Sequence, residues 1–236
     1  MEKRTIFFDL DDTLYDRSVP YGRAFSAFFG GEYADRARAA FERTMQRGYE
    51  VFKAAHTGQI TMEAMHIYRH QTGLRDVGIE VTVEQALQMQ ALYEEQQRQI
   101  RLTDTMRQIL TLCAARFAAV GVITNGGVQS QKEKLASLGV GEWVRPELVL
   151  ISDEVGVMKP SAEIFRLAEQ RAGTTAARCV YVGDSLSQDI AGAGGCGWET
   201  VWLDRKGETA GAVCPTLTVR SEAALLEALR RMAERI

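Results

Sequence analysis

Apolar residues gather along the chain in short unbroken runs: "TIFFD" (5–9), "FAAVGVIT" (117–124), "ELVLI" (147–151), "CVYVGD" (179–184) and "ETVWL" (199–203). A strand wetted on one face alternates apolar and polar positions. Unbroken runs of roughly five residues suit strands covered on both faces, as in a parallel sheet. A weaker run, "TLTV" (216–219), suits an edge strand. Between the runs the spacing turns helical, as in "SAEIFRLAEQRAG" (161–173), where Ser161 is placed to cap the start and Gly173 to stop the end. A final helix is expected over 221–235, with Ser221 as its N-cap. The pattern predicts an α/β fold: a Rossmann-like parallel sheet core with helices on both faces.

One interval breaks this rhythm. The gap between "IFFD" and "VGVIT" is far longer than a crossover helix requires. Residues 17–100 carry helical patterning throughout, as in "YGRAFSAFF" and "VEQALQMQALYEEQQRQI". They are expected to form an inserted all-helical domain, leaving 1–16 and 101–236 as the core. No internal repeat or low-complexity segment interrupts either part.

Composition narrows the picture without changing it. The 236 residues are 46% hydrophobic and 25% charged, ordinary for a globular chain with an ample core. A net charge of −3 gives no electrostatic case for nucleic acid or an anionic membrane as partner. No apolar run approaches the roughly 20 residues that span a bilayer. The start, "MEKRTIFF", enters a strand too early to resemble a signal peptide. The four cysteines (113, 179, 196, 214) show no CxxC spacing and suit a reduced, cytoplasmic setting.

The candidate chemistry begins in "IFFDLDDTLYD" (6–16), where a buried strand runs into Asp9, Asp11, Asp12 and Asp16. In an open parallel sheet, ligands bind beyond the carboxyl ends of the strands. That rule brings Asp9 and Asp11, Thr124 and Asn125, and Asp184 to one crevice. Lys159, on the loop after "ELVLI", belongs to the same end, and Pro160 suits the first turn of the helix that follows. Asp9, Asp11 and Asp184 would repel one another unless a divalent cation sat among them, and hard oxygen donors suit Mg2+. A carboxylate beside a metal can attack phosphorus, and a second acid two residues on can serve as acid and then base. Lys159 and the groups around Thr124 would neutralise phosphoryl oxygens. Asp12 and Asp16 fit loop and capping roles.

The residues resemble the haloacid dehalogenase superfamily. "DLDDT" (9–13) is similar to its DxDx[TV] first motif, "VITNG" (122–126) to its second, "KP" (159–160) to its third, and "VGDSLSQD" (182–189) to the GDxxxD form of its fourth. The resemblance implies that Asp9 is the nucleophile and Asp11 the general acid/base. It implies Mg2+ held by Asp9, the Asp11 backbone carbonyl and Asp184, with Asp189 supporting through water or Lys159. It implies phosphate held by Thr124, Asn125 and Lys159, and an insertion at 17–100 that acts as a helical cap domain. Within the superfamily, "TNGG", "ISDEVGVMKPSAEIF" and "VGDSLSQDIAGAGGCGWETVWLDRKG" are most similar to pyrimidine 5′-nucleotidases and N-acylneuraminate-9-phosphatases. The implied activity is a Mg2+-dependent phosphatase acting on a small phosphorylated metabolite, a nucleoside 5′-monophosphate or sugar phosphate, through an aspartyl-phosphate. A dehalogenase is disfavoured, because halide displacement has no use for the acid at Asp11. A phosphomutase needs the same DxD and stays open, as does a non-catalytic module that binds a phosphometabolite. Monomer and homodimer are equally open.

Two other motifs read as structure. His66 and His70 have the i, i+4 spacing of zinc ligands but lack the glutamate of HExxH and a third ligand, so a packed helix is expected. "GAGGCG" (192–197) follows the start of a helix rather than a strand, which removes the context a dinucleotide fingerprint requires.

Overall fold

The computed structural model describes residues 3–234. Six strands form one sheet: β1 (Thr5–Phe8), β2 (Ala119–Thr124), β3 (Val149–Ile151), β4 (Cys179–Gly183), β5 (Glu199–Leu203) and β6 (Leu217–Val219). Their order across the sheet is β3-β2-β1-β4-β5-β6, and every pairing is parallel. Each apolar run in the sequence contains a strand, and the weakest of them, β6, lies at one edge, with β3 at the other. All residues of β1, β2 and β4 are buried, which is why these strands are apolar without alternation.

Ten α-helices are present among the described residues, numbered in chain order. Those of the sheet-bearing part are α5 (Asp104–Arg116), α6 (Val128–Leu138), α7 (Ser152–Val155), α8 (Ala162–Ala172), α9 (Ala191–Gly195) and α10 (Glu222–Glu234). Ser161 caps α8 by accepting the Glu163 N–H, and Gly173 ends it in the left-handed conformation. Pro160 lies before that cap, so it stands outside the first helical turn where the sequence reading put it. Ser221 caps α10, its hydroxyl accepting from the Ala224 N–H. Residue 235, expected in this helix, lies outside the described residues. One buried cluster joins Phe7, Ile123, Leu150, Phe165, Tyr181 and Trp198 across the strands and α8. The rings of Phe165 and Trp198 meet edge to face at 5.4 Å.

The chain divides into two compact units, Met1–Tyr15 with Arg101–Ile236, and Asp16–Ile100. The second consists of α1 (Ser18–Phe29), α2 (Ala37–His56), α3 (Met62–Arg75), α4 (Val83–Gln97) and a short 3-10 turn. Its core gathers Tyr21, Phe25, Phe41, Leu74, Met89 and Tyr93. His70 belongs to that packing: it is fully buried, lies parallel to the Tyr21 ring and donates from Nε2 to Gln90 Oε1 at 3.0 Å. Among the described residues, no helix is long and apolar enough to cross a membrane.

Candidate active site

The order of the strands makes the crevice. The chain winds outward from β1 through β2 to β3, then returns to the other side of β1 with β4. The connections diverge where that direction reverses, opening a space beyond the carboxyl ends of β1, β2 and β4. Asp9 follows β1 directly, and its N–H donates to Val182 O at 2.9 Å, so the backbone leaves the strand in register with β4. Thr124 is the last residue of β2, and Gly183 the last of β4.

Three acids meet here. One carboxylate oxygen each from Asp9, Asp184 and Asp189 lies within 4.8 Å of the others. Between them reaches Lys159, whose Nζ is 2.6 Å from Asp9 Oδ1, 2.7 Å from Asp189 Oδ1 and 2.9 Å from the Tyr181 hydroxyl. Those three partners match the three donors of the ammonium. Burial pushes the Asp9 carboxyl up to about 7, with Lys159 pulling the other way and the negative charge of Asp189 adding to the rise. Burial also opposes the charge on Lys159, but Asp189 and Asp9 outweigh it and hold the ammonium well above the usual lysine range. Asp189 is braced by the Ser185 N–H at 3.0 Å. It presses against β4 so closely that a Cβ on Gly183 would lie 2.4 Å from its Oδ2, which is why glycine precedes Asp184.

The other expected residues divide by where their side chains go. Asp11 is outside the acid group. Its carboxylate accepts from Lys134 Nζ at 2.9 Å on both oxygens, from Gln131 Nε2 at 3.1 Å and from the Tyr15 hydroxyl. Asp189, expected to act through water or Lys159, lies 2.7 Å from the Lys159 Nζ and also stands within the acid group. Thr124 is buried, and its Oγ1 accepts from Gln131 Nε2 at 3.0 Å. Asn125, expected at the phosphate, has its side chain turned to a backbone: Oδ1 accepts the Lys159 N–H at 2.9 Å, and Nδ2 donates to Lys159 O at 3.0 Å and Gln188 Oε1 at 3.1 Å. The amide pairs with a peptide as a neighbouring strand would, so it fixes the lysine loop. Asp12 occupies the left-handed region at φ 61, uncommon outside glycine and a mark of local backbone tension beside the acids.

Sequence reasoning missed Gln131, Lys134, Tyr15 and Tyr181. Tyr15 carries no local signal. Tyr181 is a buried strand residue like its neighbours, and its hydroxyl also donates to Ile123 O at 2.8 Å. Only the i, i+3 spacing of Gln131 and Lys134, just after "TNGG", could have pointed to one face of a helix aimed back at the site.

The chain resembles known proteins in sequence and in fold. Residues 3–197 match the family model described as haloacid dehalogenase-like hydrolase. A glyceraldehyde 3-phosphate phosphatase of Methanothermobacter thermautotrophicus is 30% identical over 203 residues, 85% of each chain. The pyrimidine 5′-nucleotidase YjjG of Escherichia coli is 38% identical over 106 residues, 44% of this chain and 46% of that one. Three of the curated relatives are matched over only 48%, 46% and 36% of their own length. The crystal structure of the HAD-hydrolase YfnB of Bacillus subtilis superposes with a TM-score of 0.74 over 99% of both chains at 22% identity, a likeness of fold. With its family model matched from residue 3 to residue 197, the chain belongs to the haloacid dehalogenase-like hydrolases.

Proposed function

We propose that the chain is a Mg2+-dependent phosphomonoester phosphatase that works through an aspartyl-phosphate on Asp9. The observation that carries this reading is the buried Asp9 at the end of β1, placed among Asp184, Asp189 and Lys159. Three hard carboxylate oxygens offset by a single lysine form a donor set that fits a hard divalent cation. Asp9, Asp184 and the Asp11 backbone carbonyl would hold it, with Asp189 beside them. When bound, Mg2+ would offset the charge of the phosphoryl oxygens and of the acids around them.

The residues would then act in turn. An Asp9 oxygen forms the bond to phosphorus as the bond to the ester oxygen breaks, and Asp11 gives the departing oxygen its proton. Asp11 next takes a proton from water, whose oxygen displaces Asp9 and frees phosphate. Lys159 and the Thr124 loop orient the phosphoryl group and offset its charge. Residues 17–100 are read as the cap domain of the core formed by 1–16 and 101–236, and as the part that selects the substrate. The matches to a triose phosphatase and a pyrimidine nucleotidase support a small phosphorylated metabolite, a sugar phosphate or nucleoside 5′-monophosphate.

The test is phosphate release from a panel of metabolites and p-nitrophenyl phosphate, with and without Mg2+, beside Asp9→Asn. Release that requires Mg2+ and falls by at least ~10³-fold in the variant is expected. Unchanged turnover in Asp9→Asn, with reversion by deamidation excluded by mass spectrometry, would end the covalent reading. Isomerisation of a sugar phosphate with little net release would identify a mutase instead.

A further inference from the structure

Helix α6 starts immediately after the "TNGG" loop, with Gly127 as its N-cap, and carries Gln131 and Lys134 three residues apart on one face. Both are buried although both are polar. Lys134 Nζ sits 2.9 Å from each Asp11 oxygen and fixes where the carboxylate lies, while Gln131 Nε2 on Oδ2 and the Tyr15 hydroxyl on Oδ1 restrict its rotation. Gln131 Nε2 is shared among three acceptors: Asn125 O at 2.7 Å, Thr124 Oγ1 at 3.0 Å and Asp11 Oδ2 at 3.1 Å. With oxygen on all three sides, only the NH2 end of the amide can face inward. Its Oε1 is consequently buried with no hydrogen-bond partner, an arrangement that costs stability. Space for the amide comes from Gly126, where a Cβ would lie 2.7 Å from Nε2.

We infer that Gln131 and Lys134 are positioning residues for the reaction: a clamp on α6 that holds the Asp11 carboxylate in place and ties it to the Thr124–Asn125 loop. The inference rests on the acid/base role proposed for Asp11. A general acid works within about 2.6–3.2 Å of the oxygen it protonates. A displacement of about 1 Å can cost on the order of 10²-fold in rate. The loop that would meet the phosphoryl group and the acid that would meet the leaving oxygen are joined here by one amide and one helical turn, so their separation is set before substrate arrives.

The clamp makes its mark on one bond. As the ester bond to phosphorus breaks, its electron pair goes to the leaving oxygen, which accepts the Asp11 proton. A weakly basic leaving group departs without that proton, whereas a more basic one depends on it. The experiment is therefore kcat/KM for 2,4-dinitrophenyl, p-nitrophenyl and phenyl phosphate with wild type, Asp11→Asn, Lys134→Met, Lys134→Arg and Gln131→Met. Relative to wild type, the phenyl-to-dinitrophenyl ratio should fall at least ~10-fold in Lys134→Met, less in Gln131→Met, and recover in Lys134→Arg. A merely structural role would lower all three substrates together. If Asp11→Asn lowers the ratio and folded Lys134→Met does not, the clamp is overturned while the proposed function stands. If Asp11→Asn leaves the ratio unchanged, the acid role falls and the clamp with it. Should Lys134→Met not fold, Gln131→Met and Lys134→Arg decide: an unchanged ratio in Gln131→Met overturns the clamp.

Discussion

Lys159 is the residue on which the acid group balances. It is 3% exposed and faces two buried carboxylates, Asp9 and Asp189, so removing its charge strands both. Breaking a buried ion pair from one side typically costs about 3–5 kcal/mol, because the partner charge stays behind without compensation. Lys159→Met should therefore lower unfolding free energy in EDTA buffer by about 3 kcal/mol, read by urea titration. Adding Asp189→Asn to that variant should recover part of the loss; strictly additive losses would mean that the two side chains do not share one charge balance. Asp9, Asp11, Thr124, Lys159 and Asp184 were legible as candidates because a strand end followed by an acid, hydroxyl or lysine has few structural uses. The partners that hold Asp11 were not legible, since Gln131 and Lys134 look like any polar residues on a helix until the fold brings α6 beneath the loop.

The elements were legible to unequal degrees, for a physical reason. Strands buried on both faces are apolar throughout, so β1 to β5 stand out from their surroundings. Helix starts and stops were visible where a cap did the marking, at Ser161, Gly173 and Ser221. Short turns such as α7 and the wide helical turn Leu186–Ile190 were not, since too few residues repeat to form a pattern. Close helix contacts hide in the same way. Gly73 on α3 lies against α2 so tightly that a Cβ would sit 2.6 Å from both Cα and N of Thr44. Gly→Ala inside an exposed helix gains up to about 1 kcal/mol from propensity. At Gly73 the obstacle is backbone, which cannot rotate away, and overpacking of this kind costs about 1–3 kcal/mol. Gly73→Ala should thus destabilise the helical unit, while Gly22→Ala on α1, with open space around its Cβ, should not. Chemical denaturation followed by circular dichroism separates the two, and equal effects would mean that the α2–α3 contact yields.

For the molecule as a whole, two units with separate cores imply two sensitivities. The helical unit buries His70, and burial, with the charge of Arg69 assisting, lowers its pKa from 6.5 to about 3. The neutral ring is kept in the folded state, whereas the unfolded chain takes up a proton below pH 6.5. Stability from this source is complete above about 6.5 and is lost as pH falls toward 3. Each pH unit inside that window costs up to about 1.4 kcal/mol, so moving from pH 7 to pH 5 costs about 2 kcal/mol. His70→Gln should flatten this slope in urea midpoints measured across that range; an unaltered slope would assign the acid sensitivity to other groups. The 85-residue span of the helical unit, Asp16–Ile100, was visible from the sequence as an interruption between two strands. Its substrate preference was not, because selectivity depends on which side chains meet in space rather than on their order.

The pairing of Asn125 with the Lys159 peptide has a chemical consequence over time. Asn-Gly is the dipeptide in which the following backbone nitrogen most readily attacks the side-chain amide, turning asparagine into aspartate or its isomer. Asn125-Gly126 is such a pair, placed between the strand end and the helix that would grip the reacting groups. In the folded chain neither reactant is at liberty. The Asn125 amide is held at both ends by Lys159, and the Gly126 N–H donates to Ser152 Oγ at 2.9 Å. Folding thereby shields a bond that the sequence leaves prone to ageing. A chain that loosens here would convert slowly to a form whose new carboxylate repels the Lys159 carbonyl it once served.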